Sequence, residues 1–193
     1  MFKPPVQVTA PTEEPVTVEE TKAFLRITAN TDNVRIGELI TAARLMSEAY
    51  LGQAFITQTF DLYLDSFPDA IELPRPPLQG VVSITYYDSN GNQQTLAASA
   101  YIVDQRSVPA RIIPAIDTSW PSTQTGKPNA VTVRYTCGYG DSISSPTVDS
   151  TDSVPQNIKT AIMTLVHHLY DNPMATDLPP QVRALLFSDQ QVF

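Results

Sequence analysis

The stretch Asn33–Gly52 constrains this chain most, because it reads as a long amphipathic helix that ends on a glycine and leads straight into strands. At about 3.6 residues per turn, Ile36, Leu39, Ala43, Met46 and Tyr50 fall on one narrow face, and Arg44 and Glu48 point the other way. Gly52 stands where a left-handed C-cap would close the helix. Within a few residues Ile56, Phe60, Leu62 and Leu64 alternate with Thr57, Thr59, Asp61, Tyr63 and Asp65, the period of a half-buried strand. Helices, then a β middle, then one more helix define an α+β chain.

The punctuation extends this reading in both directions. Residues 1–16 hold four prolines and little periodicity, which predicts an extended arm. Thr17-Val18-Glu19-Glu20 is a capping box that opens a short helix to about Ile27. Asp32 or Thr31 is placed to cap the second helix, so residues 17–53 form a helical pair. Residues 54–140 read as an all-β, antiparallel module of short strands inserted into a helical body. Pro74-Arg75-Pro76-Pro77 stops one strand, and Asp88-Ser89-Asn90-Gly91 turns a hairpin. A polar linker, 141–153, precedes Ser153-Val154-Pro155-Gln156, which resembles a second capping box opening the helix 154–172. The expected helical core combines Phe24, Leu25, Ile36, Leu39, Ala43, Met46 and Tyr50 with Ile158, Ile162, Leu165 and Leu169. The tail 173–193 carries Val182, Leu185, Leu186, Phe187 and Phe193 in a segment too short to make a core of its own. Such residues fold back on the body or fill a groove on another chain.

Composition removes whole classes of function. The 193 residues, 42% apolar, suit one domain or a core with an inserted module. No apolar run approaches the ~18–20 residues that cross a bilayer, and the first residues lack a basic-then-apolar export signal. Synthesis in the cytoplasm and no membrane partner are therefore expected. Twenty acidic against twelve basic residues give a net charge of −8, and the Lys and Arg residues occur singly. Tight nucleic-acid binding needs clustered cations, so none is expected, whereas an acidic wall past which DNA slides is permitted.

No catalytic, cofactor or metal site emerges from the residue pattern. The adjacent His167 and His168 diverge by ~100° on a helix and cannot chelate one metal as an i,i+4 pair would. The single Cys137 excludes a disulfide framework and a cysteine zinc cluster, and reads as a buried small side chain. Gly138-x-Gly140 is too short for a phosphate loop, and Asp61, Asp65 and Asp69 read as a solvated strand face. Trp120, Tyr86, Tyr87, Tyr101 and Tyr139 support a second reading, a carbohydrate- or receptor-binding β-domain with helical support. A hydrolase would need a nucleophile–base pair, which the residues do not offer.

The wording of the elements carries a resemblance. It runs through VEETKAFLRI at 18–27, Ile36-x-x-Leu39-Ile40-x-Ala42-Ala43-Arg44 and YLGQAF at 50–55. It continues through QTFDLYLD at 58–65, IELPRPPL at 71–78 and Val82-x-Ile84-x-Tyr86-Tyr87-Asp88-x-x-Gly91. Tyr101-x-Val103-Asp104, Trp120-Pro121, Val131-x-Val133-x-Tyr135-x-Cys137-Gly138-Tyr139 and the pattern from Ile158 to Tyr170 complete it. In this order, over roughly residues 17–187, the chain resembles the head–tail connector (adaptor, or head-completion) proteins of tailed bacteriophages and gene-transfer agents. The proline-containing arm and Cys137 depart from the family pattern. The resemblance implies a non-enzymatic structural virion protein of the neck, between capsid and tail, with no cofactor. It implies a homo-oligomeric ring of about a dozen copies beneath the portal protein. That ring would extend the DNA channel, pass double-stranded DNA without specific binding and offer a platform to a stopper or tail-completion protein. By analogy the tail residues Val182, Leu185, Leu186, Phe187 and Phe193 would dock toward the portal, and the arm would embrace a neighbour.

Overall fold

The computed structural model describes residues 3–140 and 154–187, so the linker 141–153 and Phe193 lie outside the described residues. These residues form four helices and two antiparallel sheets, an α+β fold whose β module is inserted between helical segments of the chain. They divide into a helical unit, Pro11–Ile56 together with the chain from Tyr139 on, and a β unit, Thr57–Gly138 together with the arm up to Ala10.

In the helical unit α1 spans Val18–Leu25, and its capping box forms in full. The Thr17 hydroxyl accepts from the Glu20 amide at 3.0 Å, and the Glu20 carboxylate accepts from the Thr17 amide at 2.8 Å. Helix α2 spans Asn33–Leu51 and closes on Gly52 at φ 68°, a backbone state glycine adopts without steric cost. Asp32 holds the N-cap position of α2 without making a side-chain cap; its carboxylate accepts from the Tyr170 hydroxyl instead. Helix α3 spans Gln156–Asp171 and α4 spans Pro180–Phe187. Pro155 stands at the N-cap of α3, two residues later than the expected Ser153, which lies outside the described residues. Ile36, Ile40, Ala43, Phe55, Ile158, Ile162, Leu165 and Leu169 are buried in one cluster with Val182 and Leu186.

In the β unit, β1 (Val6–Thr9), β2 (Gln58–Leu64), β4 (Leu78–Tyr87), β5 (Gln93–Thr95) and β8 (Val131–Cys137) form a sheet in the order β1-β2-β8-β4-β5. A second sheet runs β3 (Ile71–Leu73), β7 (Ala110–Pro114), β6 (Tyr101–Asp104), in the order β3-β7-β6. Tyr135 is fully buried, its ring 6.1 Å from Phe60, and its hydroxyl donates to the Pro74 carbonyl at 2.9 Å. Burial pushes that hydroxyl's pKa well up, so it stays a donor.

Two expectations change here. The proline-rich arm is not merely extended: Val6–Thr9 pairs antiparallel with β2, because prolines at 4, 5 and 11 flank the strand without interrupting its ladder. Lys3 anchors this arm through Asp65 at 2.6 Å and Asn129 at 2.8 Å. Asp61 is also not solvated; it is 4% exposed and takes both arms of the Arg134 guanidinium at 2.8 Å. The β2–β8 register sets Asp61 opposite Arg134, so the pair follows from strand pairing.

The carboxylates define an acid limit. Asp65 is held below its usual range by Lys3, Asp88 by the Asn92 amide, Asp104 by Arg111 and Glu20 by the Thr17 amide. A depressed folded pKa contributes stability above the unfolded value, about 4 for these groups, and loses it as pH falls through the folded value. The thermal midpoint is therefore expected to stay level from about pH 8 to 5 and to drop below about pH 4. Circular-dichroism melts across that range test it; a midpoint unchanged at pH 3 would contradict these four contacts.

Candidate functional site

The C-terminal half of helix α2 turns its charges, Arg44 and Glu48, inward. The buried residues of α2 are Ile36, Ile40, Ala43, Arg44, Ser47, Glu48 and Leu51. Arg44 is 5% exposed: its Nε donates to Glu14 at 2.7 Å, its Nη2 to the other oxygen of Glu14 at 3.2 Å, and its Nη1 to Glu48 at 3.0 Å. Glu48 accepts in addition from the Phe55 amide at 2.8 Å, and the Thr41 hydroxyl donates to Glu14 at 2.9 Å. Burial works against the Arg44 charge, but the two carboxylates outweigh it and leave the guanidinium more basic than usual. At the other end of α2, Arg35 lies 4.6 Å over the Tyr170 ring and donates to the Tyr170 carbonyl at 3.0 Å.

The corollary is an outward-facing apolar surface. Leu45 is 52% exposed and Tyr50 39%, with Ala49 beside them. Tyr50 was expected in the core, as was Phe24, which is 45% exposed; Leu39 and Met46 are half-buried at the edge of the cluster, as is Leu25. The inner face is rotated toward Arg44, Ser47 and Glu48, because Glu14 from the arm satisfies charges that periodicity alone assigns to solvent. A groove of about 520 Å³ runs beside this surface, lined by Met46, Ala49 and Tyr50 of α2 and by Thr176, Asp177, Leu178 and Arg183.

The C-terminal segment divides by helical phase. Val182 and Leu186, one turn apart, are fully buried in the cluster of the helical unit, Leu185 is half-buried, and Phe187 is 65% exposed. Expected as a docking element, Val182 and Leu186 instead complete this chain's own core, since i,i+4 spacing aims both at it. Phe193 lies outside the described residues.

Little else is arranged for chemistry. Among the described residues no group of three His, Cys, Asp or Glu side chains could hold a metal ion. Cys137 is buried, and His167 lies on the surface 3.4 Å from Asp171. Of the aromatic residues that suggested a ligand platform, Trp120 and Tyr86 pack on Phe67 and Tyr87 lies under Lys127. Trp120 stacks on Phe67 with centroids 4.8 Å apart, Tyr86 meets the same ring edge-on at 5.6 Å, and Lys127 lies 4.0 Å over Tyr87. No helix among the described residues is long and apolar enough to cross a membrane.

Residues 15–117 match the model of the phage gp6-like head-tail connector proteins, more than half of the chain, and the protein belongs to that family. Three solved structures share the fold. A chain in the virion of a native gene transfer agent particle is 22% identical with a TM-score of 0.77. A chain in the neck of an empty particle of that kind, computed with C6 symmetry, is 21% identical at 0.78, and one in a native neck computed with C12 symmetry is 22% identical at 0.73. Each similarity covers 99% of this chain and 97% of the other. No curated protein matches the chain.

Proposed function

We propose that this protein is a structural, non-enzymatic virion component that forms a ring of about twelve copies in the neck, docked under the portal protein. There it extends the DNA channel and presents the attachment platform for a stopper or tail-completion protein. The observation that carries this reading is the connector-family match over residues 15–117, joined to a fold similar along 99% of the chain to chains in the virion and neck of gene transfer agent particles, one neck being computed with C12 symmetry.

Electrostatics fit a conduit. The chain is acidic at −8, and several of its cations are already engaged: Arg44 by Glu14 and Glu48, Arg134 by Asp61, Arg111 by Asp104 and Lys3 by Asp65. Guanidinium groups held by carboxylates have little left for phosphates, so double-stranded DNA slides past without specific binding. The exposed Phe187, and Phe193 beyond it, are the residues of the tail we assign to portal docking.

Mixing the purified protein with the portal of its own particle and imaging by negative stain tests the reading. The expected result is a ring capping the portal. A protein that stays monomeric beside a correctly assembled portal would overturn it and favour the isolated β-domain binding reading.

A further inference from the structure

Among the described residues the groove beside α2 stands open, and its lining sets the chemistry of an occupant. Its floor is apolar, formed by Met46, Ala49, Tyr50 and Leu178, and its two charged residues are Asp177 and Arg183. Arg183 is held in place by donating through Nε to the Leu178 carbonyl at 2.7 Å. The outer face of α2 from residue 41 to 52 exposes no charge, since Arg44 and Glu48 are buried. That face offers phosphate no counter-charge, and the single Arg183 stands beside Asp177, so an apolar protein surface is the occupant the groove fits.

The same chain carries a matching knob. Phe24 projects from α1 with 45% of its surface exposed. Glu20 lies one turn before it on the same face and caps the helix through Oε2, and Arg26 follows it, exposed, at the left-handed C-cap. The knob thus presents one aromatic ring between one acid and one base, and the groove presents an apolar floor with one base and one acid. Their charges are reciprocal and sum to zero, so two chains each of net charge −8 meet there without like-charge contact.

We propose that this groove receives Phe24 of a second copy of this chain, with Arg26 and Glu20 of that copy facing Asp177 and Arg183. Knob and groove are different surfaces, so the contact is heterologous and repeats head to tail, the arrangement that closes into a ring rather than a two-fold dimer. The inference deepens the ring reading above and rests on it. An aromatic anchor seated in an apolar pocket with a polar rim is also where interface energy concentrates.

Cysteine cross-linking tests it, since Ala49 and Phe24 are exposed and the native Cys137 is buried. On mild oxidation the doubly substituted Phe24→Cys/Ala49→Cys protein is expected to give a ladder of covalent multimers. A mixture of the two single variants should stop at dimers joining position 24 to position 49. Phe24→Asp should weaken self-association at least tenfold with helix content unchanged. The mass of unmodified wild-type protein, alone and with portal, is measured in parallel. Rings without the 24–49 link would overturn this interface and leave the ring standing. A preference for 24–24 links would overturn it in favour of a two-fold contact. Absence of both link and ring would overturn the interface and the ring together.

Discussion

Replacing Arg44 by alanine is expected to destabilise the helical unit by about 3–5 kcal/mol, the range seen when one partner of a buried ion pair is removed. The deletion takes the guanidinium from Glu48, whose side chain is 6% exposed, and from Glu14 a two-pronged contact at 2.7 and 3.2 Å. Glu48 keeps the Phe55 amide as a donor, but a neutral donor does not offset a buried negative charge. Arg44→Lys should recover only part of the loss, because an ammonium is a point charge and does not reproduce the fork that reaches Glu14 and Glu48 together. Arg44→Met combined with Glu48→Met should recover most of it, since removing both charges spares the desolvation cost of either alone. Urea titration followed by far-ultraviolet circular dichroism reads the helices, and fluorescence of the single tryptophan, Trp120, reads the β unit. Arg44→Ala should move the helical transition well ahead of the tryptophan transition. A loss below about 1 kcal/mol would mean that the Arg44 cluster does not hold the arm and α2 together.

The same cluster explains what was legible in the sequence and what was not. Local signals translated directly. The Thr17–Glu20 box caps α1, Gly52 closes α2, and Asp88 turns its hairpin by accepting from the amides of Asn90 and Asn92, with Gly91 at φ 83°. Each of these depends on residues within a few positions of one another. The illegible features all hang on partners far away in the chain. Glu14 meets Arg44 across 30 positions, and Asp61 meets Arg134 across 73. Once those charges are satisfied internally, α2 buries the side that carries them, and Tyr50, assigned inward by periodicity, turns out. Strand β1 was hidden for the same reason, since its prolines read as an arm and its partner β2 lies some fifty residues on. Sequence rules tend to fail at functional or strained positions, and here they fail on the face we assign to assembly.

Leu186→Ala and Phe187→Ala, adjacent substitutions on α4, are expected to have opposite consequences. Leu186 is fully exposure-free in the helical cluster, so its truncation should cost about 2–5 kcal/mol of stability through lost burial and a cavity. Phe187 is turned by about 100° from it and is 65% exposed, so its truncation should change stability by no more than about 0.5 kcal/mol. If Phe187 is an anchor for the portal, the same substitution should lower portal affinity at least fivefold, about 1 kcal/mol. This contrast matters because truncating the chain at residue 179 confounds the two effects: it removes Val182 and Leu186 from the core together with any docking residue. A binding titration of folded Phe187→Ala protein against assembled portal, with the melting temperature measured on the same sample, separates them. Unchanged portal affinity in that variant would remove Phe187 from the docking surface and leave α4 a purely internal brace. Reduced affinity at unchanged melting temperature would give the two faces of one short helix separate duties, Val182 and Leu186 holding the protomer together and Phe187 holding it to the particle.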